Sequence, residues 1–143
     1  MEIATDENAD AVARAYTAAM ASIDSGKPIS DAARLIFNVE HMMQEANSGV
    51  SFADYFRWAE LAELREVPGQ LNSIDLPDVS DIVARALAAG FPDGLPASDE
   101  AKADAMEWTA EQEALLGQLF FELEVLNGRV MNVLGAYVLR MGL

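Results

Sequence analysis

The chain has 143 residues, 52% of them hydrophobic, and no cysteine. That fits one domain with a real core and excludes disulfides, thiolate zinc sites and cysteine nucleophiles. Nine Lys plus Arg face 24 Asp plus Glu, a net charge of −15, which repels phosphates and argues against nucleic acid and anionic membranes as direct partners.

Taken in chain order, the apolar pattern is helical almost throughout. The opening MEIATDENAD is acidic and polar, the opposite of a signal peptide, so a cytoplasmic location is expected. Ala9, Val12, Tyr16, Ala19, Met20 and Ile23 recur at three- and four-residue steps and predict a first helix, ended by Gly26 and Pro28. Ser30 is the expected N-cap of a second helix, with Ala32, Leu35, Ile36, Val39, Met42, Met43 and Ala46 as its stripe and Asn47-Ser48-Gly49 as its stop. Ser51 with Asp54 resembles a capping box for a short helix through Phe56. The aromatic spacing of Phe52, Tyr55 and Phe56 reads as a wedge into the core, with Arg57 and Trp58 left partly exposed.

Leu61, Leu64, Val67, Leu71 and Ile74 keep helical spacing, but Pro68 falls among them and predicts a kink or two short helices. Leu76-Pro77-Asp78 reads as a helix start, with Val79, Ile82, Val83, Ala86 and Leu87 buried and Gly90 at the end. FPDGLP, residues 91–96, is a loop by its Pro and Gly content. Ser98 begins another helical segment, and Thr109 with Gln112 predicts a fresh helix near Ala110. From Leu116 a stripe runs through Phe120, Leu123, Leu126, Val130, Leu134, Tyr137 and Met141, with a break expected at Asn127-Gly128. No segment alternates with the period of a strand, and none is apolar enough to span a bilayer. The expected fold is all-α: one compact domain over residues 1–143, roughly six to eight helices and no sheet. Within it, residues 1–29 form an N-terminal helix and residues 30–143 the remainder.

Few residues point to chemistry. His41, the single histidine, shares a helix face with Arg34, Asn38 and Glu45, away from the apolar stripe. His41 and Glu45 at i, i+4 offer two metal positions, but a site needs three or four and no motif supplies the rest, so no metal is expected. There is no strained Gly-x-Ser-x-Gly turn and no glycine-rich phosphate loop, and close carboxylates carry little meaning in so acidic a chain. No catalysis and no cofactor are expected.

The acids themselves are unevenly spread. Between Asp93 and Glu124 a dense acidic run contains one base, Lys102. Glu100, Asp104, Glu107 and Glu111 step by four, three and four, so an unbroken helix would align them along roughly 16 Å. That is one charge about every 5.5 Å, on the order of the axial spacing of phosphates along a DNA strand. The alternative is an ordinary solvated helix face, and the start predicted near Thr109 interrupts the alignment. Glu60, Glu63 and Glu66 form a second acidic patch.

The order of features resembles a bacterial family of small, acidic, all-helical proteins that carries a domain of unknown function and includes a dimeric DNA-mimic protein. In EANSGVSFADYF the resemblance rests on Glu45, Asn47, Gly49, Phe52, Tyr55 and Phe56, in ALAAGFPDGLP on Ala86, Leu87, Phe91, Pro92 and Gly94, and near the end on Tyr137. It covers roughly residues 30 to 140, and this chain reads Asn-Ser-Gly-Val-Ser-Phe where the family has Asn-Gly-Gly-Phe. The resemblance implies a non-enzymatic binding protein, a homodimer, whose acidic face occupies the basic DNA-binding surface of a regulatory protein. Glu100, Asp104, Glu107 and Glu111 are the expected contacts, with Glu60, Glu63 and Glu66 as a second patch. The other readings are a structural or immunity-type interaction module with incidental acidity, and an enzyme with a carboxylate-lined pocket.

Overall fold

The computed structural model describes every residue, Met1 to Leu143, and contains eight helices and no strand. The helices are α1 (Asp6–Asp24), α2 (Asp31–Gly49), α3 (Phe52–Trp58), α4 (Leu61–Ser73), α5 (Pro77–Gly90), α6 (Asp99–Ala105), α7 (Ala110–Glu124) and α8 (Asn127–Met141). The expected all-α single domain is therefore the observed one. Helix α2 is the hub, touching α1, α3, α4, α7 and α8, while α5 packs on α4 and α7. No helix is long and apolar enough to cross a membrane.

Local chemistry sets most boundaries. Ser30, Ser98 and Thr109 accept hydrogen bonds from the backbone N–H three residues on, satisfying donors that each helix start leaves orphaned. At Thr109 the box is complete, since the Gln112 side chain accepts the Thr109 N–H at 2.9 Å. Gln112 also donates to Ala89 O at 3.0 Å, and Trp108 Nε1–H donates to Gly90 O at 2.9 Å, so the start of α7 caps the end of α5. At α3 the cap forms but the box does not: Ser51 Oγ accepts from Ala53 N, and Asp54 pairs instead with Arg57 at 2.7 Å.

Other expectations shift by a few residues. Helix α2 ends on the last residue of the expected Asn47-Ser48-Gly49 stop, and Val50 caps it in the left-handed conformation at φ 53°. Gly49 is needed for closeness: a Cβ there would lie 2.7 Å from Asp54 Cγ at the start of α3. The positive φ thus falls on a β-branched residue. Helix α4 is a single helix through Pro68, not two, its buried stripe of Leu61, Leu64, Val67 and Leu71 unbroken. Asn127 and Gly128 are the first residues of α8, and the break lies at Val125-Leu126. In α1 the buried face is Ala11, Val12, Ala15 and Ala19, while Met20 is exposed, because α1 lies close on α8 and only small side chains fit. At Gly135 of α8 a Cβ would come within 2.5 Å of the Asn8 Cα.

The core runs from Val12 through Ile36, Val39 and Met42 of α2 to Leu64, Leu71, Val83, Leu116, Leu123 and Leu134. Phe52, Tyr55 and Phe56 are fully buried, and Phe56 meets the rings of Phe91 and Trp108, so the aromatic run is the expected wedge. Each such ring contributes about 1.5–3 kcal/mol by burial. Trp58 stays outside, 69% exposed.

Candidate functional site

Two acidic features emerge, one on the surface and one in a cleft. The surface feature follows the end of α5. Asp93, Asp99, Glu100, Asp104, Glu107, Glu111, Glu113 and Glu124 are all exposed, and none forms an ion pair. Glu122 is the member of this run with a cationic partner, Arg85, at 2.8 Å. The one base in the run is withdrawn: Lys102 is only 6% exposed and its ammonium donates to Ala59 O at 2.6 Å and Arg57 O at 3.3 Å. It closes the carbonyl end of α3, where a cation is favoured by the helix dipole. Burial, opposed by Asp99, Glu63 and Glu60, holds its pKa below the usual lysine range.

The four aligned acids do not share one helix. Glu100 and Asp104 stand one turn apart on α6, Glu107 sits in the connection, and Glu111 opens α7. The interruption at Met106–Thr109 comes from the Thr109 cap and from Trp108, which turns inward to α5. The acids are therefore distributed around a bend.

The cleft, about 350 Å³, lies between α2 and α4. Arg34, Phe37, Asn38 and His41 line it from α2, Glu60, Glu63 and Glu66 from the start of α4, with Trp58 and Ile23 at its edges. The polar face of α2 is thus turned onto another polar face: Asn38 is 1% exposed. Asn38 Nδ2 donates to Glu66 Oε2 and Gln70 Oε1, both at 3.1 Å. His41 Nδ1–H donates to the Glu63 carboxylate at 2.9 Å, and Glu45 lies 3.9 Å from Nε2. Glu63 is 7% exposed, so it serves the interior and not the outer patch expected of it, while Glu60 and Glu66 remain exposed.

The Glu63 hydrogen bond, partly offset by burial, raises the His41 pKa above its ordinary value. The imidazole is also the end of an aromatic ladder. Tyr16 stacks on Phe37 at 5.4 Å and Phe37 on His41 at 5.5 Å, while the edge of Tyr55 meets His41 at 6.0 Å. Burial, and then the neighbouring Glu63 carboxylate, push the Tyr55 hydroxyl well above the usual tyrosine range. No three His, Asp or Glu side chains gather as a metal centre would require.

Sequence reasoning found the Glu60-Glu63-Glu66 row but missed what it faces. The signal was present in two halves, Arg34-Asn38-His41 on α2 and Glu63-Glu66-Gln70 on α4, each at helical spacing. No curated protein and no solved structure gives a significant match to this chain. A family model described as DMP19-like protein matches residues 27–140, and with that match spanning most of its length the chain belongs to the DMP19-like protein family.

Proposed function

We propose that this chain is a non-enzymatic acidic binding protein and acts as a DNA mimic, occupying the basic DNA-binding surface of a regulatory protein. The observation that carries the reading is the acidic surface from Asp93 to Glu124, unpaired except at Glu122, whose one internal base is turned inward onto α3. Sequestering Lys102 leaves that surface without the cation that would otherwise interrupt its field. Membership of the DMP19-like family is consistent with this reading. Contacts through Glu100, Asp104, Glu107 and Glu111 would steer association and make it sensitive to salt.

The test is a pull-down at low ionic strength followed by competition with duplex DNA. The expected result is a basic, DNA-binding partner that this protein displaces from DNA, with affinity falling as salt rises. Reversing the four acids to lysine should abolish displacement. Undiminished displacement by that variant refutes the site, and failure to displace any recovered partner from DNA refutes the mimicry. The protein alone should not retard duplex DNA in a gel.

A second reading, an interaction module with incidental acidity, has one observation in its favour. Leu115 and Phe121 of α7, and Val125 just after it, are 42%, 56% and 54% exposed. A partner, or a second copy in a homodimer, that used these residues would bind independently of salt.

A further inference from the structure

The cleft between α2 and α4 holds more hydrogen-bond acceptors than the fold consumes. Glu60 precedes α4 without making a side-chain cap bond, and it has no ion-pair partner. Glu66 receives a bond from Asn38 through one carboxylate oxygen, Oε2. Asn38, almost fully buried against the cleft, leaves its Oδ1 without any partner. Buried polar atoms in native proteins are nearly always satisfied, so an unmet acceptor on a residue that lines the cleft points to a missing donor. The walls add a second criterion. Trp58 is the most exposed aromatic side chain in the cleft lining, which also includes Phe37 of α2.

The complement of this surface is cationic, carries several N–H donors and no acceptor, and stacks on a ring. A guanidinium has those properties; an ammonium is a compact charge without the planar face. A volume of about 350 Å³ lies at the small end of ligand pockets and suits one side chain. His41 does not compete for Glu60 or Glu66, because it is engaged with Glu63 and Glu45. Arg34, also in the cleft lining, is a like charge that an incoming cation meets there, whereas the His41 imidazole is already held by Glu63.

We propose that this cleft receives an arginine side chain of the basic partner, stacked on Trp58 and hydrogen-bonded to Glu60, Glu66 and Asn38 Oδ1. This rests on the DNA-mimic reading and deepens it: arginines freed from phosphates would supply the guanidinium, and the cleft would anchor what the outer acids attract.

The test follows the indole N–H resonance of Trp58 while the whole protein is titrated with an arginine-rich peptide, a lysine-rich peptide of equal length, or N-acetyl-arginine amide. A saturable Trp58 shift is expected with the arginine peptide, with lysine binding about fivefold weaker or worse. The isosteric pair Glu60→Gln and Glu66→Gln should weaken the arginine peptide about tenfold with an unchanged thermal melt. Arg34→Ala should tighten it. Neutralising Asp99, Glu100 and Asp104 should weaken both peptides alike while leaving the Trp58 shift at saturation intact. An unmoved Trp58 with the peptide bound elsewhere overturns the cleft and spares the DNA-mimic reading. Equal affinity for lysine, or loss of binding in Arg34→Ala, likewise overturns it. If N-acetyl-arginine amide binds as tightly as the peptide, the site belongs to a small guanidinium compound and the partner assignment fails. Absence of all peptide binding, together with no displacement of DNA, overturns both readings.

Discussion

Glu40 offers a quantitative test of the packing. It lies on α2 facing α8, 7% exposed, beside Met43, Gln44, Asn47, Asn127 and Met131, and it has no basic partner. Burial alone raises its pKa from 4.5 to about 7. A carboxyl whose folded value exceeds its unfolded one is held protonated longer in the native state. The stability linked to it is therefore complete below about pH 4.5 and is lost as pH rises through about 7. At roughly 1.4 kcal/mol per pH unit the loss is about 3 kcal/mol. Glu40→Gln removes the charge and keeps the shape. It should match the wild type near about pH 4 and exceed it by about 3 kcal/mol near about pH 8, on the order of 10 °C in Tm. Urea unfolding of both proteins across this range gives the difference directly, and the comparison cancels the general repulsion of the acidic surface. A gain that does not vary with pH, or no gain near about pH 8, refutes the argument that a desolvated carboxylate opposes folding here.

Three further outcomes are expected. Val50→Gly should stabilise the protein by about 0.5–1 kcal/mol in urea melts, since a left-handed β-branched residue costs about 1–2 kcal/mol and glycine's extra unfolded freedom returns part of that. Lys102→Met should destabilise by about 1–3 kcal/mol, leaving the Ala59 and Arg57 carbonyls without their donor, and no change would show that the ammonium contributes nothing to capping α3. The His41 imidazole, followed by NMR, should titrate above its ordinary value and fall back toward it in Glu63→Gln. Its stabilising contribution is present below about pH 6.5 and disappears as pH rises through the folded-state value.

The helices were legible because their signals are local. Ser30, Ser98, Thr109 and Pro77 mark starts by satisfying or omitting orphan N–H groups, and the α2 and α5 stripes repeat at 3.6-residue spacing. Misplaced boundaries arose where tertiary contact overrode a local preference. Gly49 does end its helix, but its missing Cβ makes room for Asp54, and the left-handed turn that glycine would favour falls on Val50. The stripe of α1 rotated because α8 demands alanines at the contact. The cleft was illegible for the same reason. Asn38 and Glu66 are twenty-eight residues apart, and nothing in either helix alone says that its polar face will meet another polar face. Nothing local marks Lys102 for burial, because that depends on where α6 lands on the end of α3.

The family match begins at Lys27, after α1, yet α1 is stitched into the domain. Tyr16 forms the outer rung of the ladder that ends at His41, and Ile23 lines the cleft. The edge of that cleft is therefore finished by a segment outside the matched region, and replacements confined to α1 would reshape it while every matched residue stayed as it is.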